Sequence, residues 1–129
     1  MLKIAAPFRE KEEVLPLIKA GADELYCGYL DPEWERIYSS LEFERKGTGS
    51  NFTNLASLKE AVEISHRKGV AVYLALNGIY VEQQYPLLLK IIDRLEEANL
   101  DGYIVADIGL LLTLKKIGFK RQLDRKSVV

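Results

Sequence analysis

One junction is written twice along this chain, and it limits the fold more than any other feature. Ala20-Gly21-Ala22-Asp23-Glu24-Leu25-Tyr26 and Ala98-Asn99-Leu100-Asp101-Gly102-Tyr103-Ile104 each hold a helix stop, an acidic residue at a strand entrance, and an apolar strand. Arg67-Lys68-Gly69-Val70-Ala71-Val72-Tyr73 is a looser third copy. Together with the leading run Leu2 to Ala6, closed by Pro7, these junctions give four β-α units in succession. Such alternation makes right-handed crossovers and a parallel sheet.

The stretch from Asn51 to Asn77 shows the unit most plainly. Leu55, Leu58, Ala61, Val62 and Ser65 recur at helical spacing, with Lys59, Glu60, Glu63 and Arg67 on the other side. Thr53 or Asn54 caps the start, and Gly69 supplies the left-handed stop. Val70 to Leu76 is an unbroken apolar run, which predicts a strand covered on both faces. Asn77 stands at its end.

The other units follow the same grammar. Glu10 to Ala20 is the first helix, with Pro16 tolerated only near its first turn. Glu24 to Tyr29 is the second strand. From Leu30 to Ser50 the periodicity dissolves, apart from a short helix expected around Glu33 to Ser40. A third helix runs from Glu82 or Gln83 to Ala98, with Leu88, Ile91, Ile92 and Leu95 as its apolar side. Tyr103 to Ala106 is the last clear strand, ending at Asp107, and Gly109 to Lys116 is the fourth helix.

Composition narrows the function classes. A chain of 129 residues, 48% hydrophobic and 29% charged, suits one soluble globular domain. The net charge of −1 gives no electrostatic case for nucleic-acid binding. Cys27 is the single cysteine, which excludes an internal disulfide or cysteine metal cage and fits a reducing compartment. No apolar run approaches membrane-spanning length and no secretory leader is visible, so the expected location is cytoplasmic.

The order and spacing of several parts resemble peptidase family U32, the collagenase-like peptidases. These parts are Glu24-Leu25-Tyr26-Cys27-Gly28, Asn51-Phe52-Thr53, the helix Leu58 to Lys68 with Gly69, the strand ending in Asn77, and Val105-Ala106-Asp107-Ile108-Gly109-Leu110. The resemblance covers roughly residues 1–119. It implies a parallel (β/α) half-barrel, the first four β-α units of a TIM-type barrel of about 250 residues. It further implies an N-terminal fragment of a collagenase-like peptidase, inactive alone. Other family branches resemble hydroxylases of RNA or of a small quinone precursor. Family members carry their diagnostic cysteines after this region, in several cases holding an iron–sulfur cluster; no such cofactor belongs to the present chain. A non-catalytic binding or assembly half-barrel is the third reading.

The stretch 120–129 departs from the pattern: Lys120 to Lys126 is strongly charged and reads as a tail without a strand, a truncated or frame-shifted end in preference to a solvated, disordered tail. A half-barrel leaves two strand edges and an inner face uncovered, so self-association, or docking of the missing C-terminal half, is expected. The full-length protein would take a peptide or RNA substrate, with no membrane partner.

Candidate site residues follow from the β-α logic, which places chemistry at C-terminal strand ends. Asp107 and Asn77 are the catalytic candidates, weighed evenly against simple turn capping. Arg45, Lys46, Asn51, Phe52 and Tyr29 are candidates for substrate binding, the two basic residues because a fixed cation in a cleft favours a carboxylate or phosphate. Pro7 and Phe8 occupy equivalent strand ends, where packing is the commoner role. His66, the only histidine, lies within a helix, and Cys27 reads as a small core hydrophobe.

Overall fold

The computed structural model describes residues 2–38, 51–118 and 122–125, the last four and Asn51 by backbone alone. Six strands are present among them: β1 (Ala5–Pro7), β2 (Glu24–Tyr29), β3 (Asn51–Phe52), β4 (Ala71–Leu76), β5 (Gly102–Val105) and β6 (Gln122–Arg125). Five helices connect them: α1 (Val14–Lys19), α2 (Pro32–Ile37), α3 (Leu55–Arg67), α4 (Tyr85–Leu95) and α5 (Ile108–Lys116). Single 3-10 turns lead into α1 and flank α4 on both sides. Pro16 sits in the first turn of α1, where its missing N–H leaves no intrahelical bond unmade.

The sheet runs β1-β2-β4-β5-β6, every pairing is parallel, and β3 attaches to the far end of β2. Each principal strand therefore lies beside the next one in the chain, with only the α2–β3 excursion interposed. The winding never reverses. That is the order of a barrel wall, not of a doubly wound sheet with a central switch point. Four β-α units and a fifth strand form this part of a barrel.

The predicted helix stops hold as backbone facts. Gly21, Gly69 and Gly118 have φ of 113°, 72° and 77°, and Asn99 takes the same left-handed place at 59°. The acidic strand entrances also have a shared job. Asp23 Oδ2 accepts the Ile4 N–H and Asp101 Oδ2 accepts the Val72 N–H, both at 2.8 Å, so each acid ties its own strand to the one before it. His66 Nε2 meets the same Asp101 oxygen at 2.7 Å and closes α3 onto the base of β5.

Two expectations are corrected. The strand beginning after Gly69 is buried on one face only. Val72, Leu74 and Leu76 are at most 8% exposed beneath the helices, whereas Tyr73 and Ala75 alternate with them at intermediate exposure on the other face. An apolar run therefore reported a strand correctly but overstated its burial. The charged stretch after Phe119 is not strandless either: Gln122–Arg125 forms β6 against Gly102–Val105. Edge strands pair through backbone groups, which any non-proline residue supplies, and charges at an edge discourage unwanted pairing.

Candidate functional site

The C-terminal ends of β2, β4 and β5 carry the chemistry-bearing groups, and local sequence explains how each is held. After β5 the chain turns at Asp107, whose Oδ1 accepts the N–H groups of Gly109 at 2.8 Å and Leu110 at 3.2 Å, capping α5. Its Oδ2 accepts the Tyr80 N–H at 2.8 Å, and the Tyr85 hydroxyl donates to Oδ1 at 3.3 Å. Asp107 is 6% exposed. One buried carboxylate thus fastens the β4–α4 loop, the start of α4 and the start of α5 together. Capping, one of its two sequence readings, is what the geometry displays.

Two glycines make that arrangement possible. A Cβ on Gly109 would overlap the Tyr85 hydroxyl, and a Cβ on Gly78 would stand 2.8 Å from the Tyr80 ring. The Tyr80 ring folds over Gly78 and meets Trp34 of α2 edge-on at 5.7 Å. Burial pushes the Tyr80 hydroxyl up to about 12, and it pushes the Tyr85 and Tyr29 hydroxyls up as well, with the nearby carboxylates of Asp107 and Asp31 adding to the shift. The raised values keep all three phenols protonated at neutral pH.

A second cluster lies at the end of β2. Asp31 is 5% exposed and caps α2 through the Glu33 N–H at 2.9 Å. Arg94 of α4 reaches over to Asp31 at 3.3 Å and to the Glu33 carboxylate at 2.7 Å. That guanidinium holds the Glu33 carboxyl below its ordinary range. Tyr29, Asp31, Trp34, Asn77 and Tyr80 surround a cavity of about 40 Å³ floored by leucine and isoleucine side chains. Such a volume holds roughly one or two waters, far short of a peptide or a nucleoside.

The candidates from sequence separate accordingly. Asn77 is exposed at the end of β4, and Tyr29 is half-buried beside the cavity. Phe52 is 5% exposed, with its ring edge-on to Phe8 at 5.6 Å, a core contact. Asn51 is paired with Gly28 through the backbone, while its side chain, Arg45 and Lys46 lie outside the described residues. Tyr80, Tyr85 and Arg94 were not singled out by sequence. Gly109, two residues after Asp107, was the available sign that something must approach closely there.

Cys27 is 1% exposed and burial pushes its thiol far up, so it behaves as a small hydrophobe. One such thiol cannot hold a four-thiolate iron–sulfur cluster. Among the described residues no group of three or more His, Cys, Asp or Glu side chains is placed to hold a metal ion, and no helix is long and apolar enough to cross a membrane.

Comparison with known proteins extends this picture. The profile of peptidase family U32 matches residues 9–127. A collagenase of Porphyromonas gingivalis is 29% identical over 122 residues, covering 95% of this chain and 27% of that protein. The tRNA hydroxylation protein P2 of Bacillus subtilis is 29% identical over 107 residues, covering 81% of this chain and 29% of that one. The solved structure of the U32 peptidase Mk0906 superposes with a TM-score of 0.63 at 14% identity, over 99% of this chain and 49% of its own. The chain thus spans under a third of the sequence relatives named and about half of the solved one.

Proposed function

This chain belongs to peptidase family U32, and on that footing we propose that it is the N-terminal part of the catalytic barrel of a collagenase-like peptidase, inactive by itself. The observation that carries the reading is the 29% identity to a collagenase over 95% of the chain, on a wall of barrel strands whose C-terminal ends hold the polar groups. Within it Asn77 is an exposed polar group at a strand end, whose amide offers the donor and acceptor that a peptide group pairs with. Asp107, engaged by four hydrogen bonds, holds the loop that carries Asn77. On this reading the expected inactivity follows from the chain's holding only part of the strand ends that build a barrel site.

A second reading has its own support: the tRNA hydroxylation protein P2 is equally similar over a shorter length. Here the same wall would face RNA, with the redox centre supplied by cysteines outside this chain. One experiment separates the readings. The 129-residue chain, alone and joined to the portion of P. gingivalis collagenase that follows the matched segment, is incubated with denatured collagen and with tRNA. Collagen fragments from the joined protein only, reduced by Asn77→Ala, support the proposal. Hydroxylated nucleosides favour the second reading, and turnover by the chain alone that Asp107→Ala abolishes overturns the expected inactivity.

A further inference from the structure

Resting on the peptide reading of this site, we propose that residues 77–81 form a recognition strip for an extended peptide, on which Ile79 and Val81 select apolar side chains at alternate substrate positions. The alternation of β4 does not end with the strand. Val72, Leu74 and Leu76 are buried, and beyond them Gly78 and Tyr80 are buried, whereas Asn77, Ile79 and Val81 are exposed. Alternate burial is the mark of extended backbone, and Val81 itself has φ −92° and ψ 159°. Three side chains therefore stand in one row, about 7 Å from each to the next. Polar Asn77 heads the row, followed by Ile79 at 72% exposure and Val81 at 58%.

Exposed apolar side chains are ordinary when they are scattered, but this pair is anchored from behind. Between them the Tyr80 N–H donates to Asp107 Oδ2 at 2.8 Å, and the Tyr80 ring meets Trp34 edge-on at 5.7 Å. The same ring lies over Gly78, whose N–H donates to the Tyr80 hydroxyl oxygen. Val81 is held by a reciprocal pair: its N–H donates to Gln84 Oε1 and its carbonyl accepts the Gln84 N–H, both at 2.9 Å. The strip is also no sheet edge, since β4 has β2 on one side and β5 on the other. A segment fixed in this way loses little freedom when a ligand settles on it.

Charge and spacing select the ligand class. Residues 77–85 hold one charged side chain, that of Glu82, which is exposed, and the Asp107 carboxylate is bonded to the segment at Tyr80. Both are negative and no cation stands among these residues, so a phosphodiester chain gains nothing here. An extended peptide repeats its side chains with the same period as the strip, so alternate side chains fall on Ile79 and Val81 while Asn77 pairs with a peptide group. Apolar side chains at those two positions leave water, and polar ones have no partner to meet there.

The test is binding by the 129-residue chain, read by fluorescence anisotropy, of a labelled threonine peptide with leucine at two alternate positions, against the same peptide with serine there. The leucine peptide should bind about ten-fold more tightly, a margin that partial burial of two such side chains supplies. Ile79→Ser combined with Val81→Ser should erase the difference, and Lys59→Ser, exposed on α3, should keep it. Should the double variant unfold, nuclear magnetic resonance of the unaltered chain decides instead: the leucine peptide shifts the backbone amides of residues 77–81. Equal binding of the two peptides, no binding at about 1 mM, a preference that survives the double variant, or shifts confined to other residues overturns the proposal. A labelled single-stranded oligoribonucleotide that displaces the leucine peptide from the strip assigns it to RNA and also overturns it. Collagen fragments from the joined protein without a leucine preference here would sink this proposal alone, and a leucine preference without fragments would sink only the catalytic reading.

Discussion

The carboxylate of Asp107 accepts the backbone N–H of Tyr80 at 2.8 Å, across 27 residues of intervening chain. Since the same group caps α5 and receives the Tyr85 hydroxyl, it ties the segments that follow β4 and β5 to one another. Any catalytic group carried on the 77–81 loop inherits its position from this contact.

Asp107→Ala should therefore destabilise the fold by about 2–4 kcal/mol, combining a lost helix cap with a buried donor left unpaired. Urea titration should show a lower midpoint at an unchanged slope. A change below about 0.5 kcal/mol, the size expected for an ordinary surface substitution, would mean that the latch is dispensable.

Gly109 and Tyr85 should be coupled. Gly109→Ala drives a methyl into the Tyr85 hydroxyl and should cost about 1–3 kcal/mol. Tyr85→Phe removes that oxygen and leaves the ring carbon beneath it 3.6 Å from the new Cβ, an ordinary contact. The double variant should be more stable than Gly109→Ala alone, and additive costs in a double-mutant cycle would refute the clash.

Acid should loosen the grip of α4 on α2. Arg94 holds Glu33 below its ordinary 4.5, so the pair stabilises the fold fully above that value and loses its effect as pH falls through the depressed one. The stability gap between the unaltered chain and Arg94→Met should be widest near neutrality and narrow below pH 4.5. A gap that stays constant down to pH 3, well into the range where carboxylates protonate, would show that Arg94 acts through packing alone.

Cys27 should be inert in the folded chain. Its burial and raised thiol predict no reaction with a thiol reagent at pH 8 until denaturant opens the sheet, when one equivalent reacts. Rapid labelling without denaturant would place the second strand in exchange with an open form.

Much of the candidate site was legible from position. Asp107 and Asn77 stand at neighbouring strand ends because the repeat of junctions puts them there. Their unequal fates were not legible. An aspartate before a glycine-containing helix start reads alike whether its second oxygen meets water or Tyr80, since the deciding N–H lies in another unit. Phe52 shows the same limit: an aromatic after a long loop suggests a substrate contact, and only the packing of Phe8 against it decides otherwise. The clasp of Arg94 on Asp31 joins residues 63 apart and has no local signature.

By itself the sequence determined most of the elements and the parallel sense of the sheet. Helical spacing, the stops at Gly21, Gly69, Asn99 and Gly118, and the acidic strand entrances act over a few residues, and their repetition compels a parallel sheet, whose single winding the strand order then shows. Tertiary structure decided the rest: that β4 is buried more deeply on its helix side than on the other, that charged residues 122–125 still pair as a strand, and that Asp107 is engaged by four hydrogen bonds. The physical reason is range. Backbone propensity and periodicity are settled among near neighbours, whereas burial and hydrogen-bond partnership are settled by whatever distant chain arrives alongside.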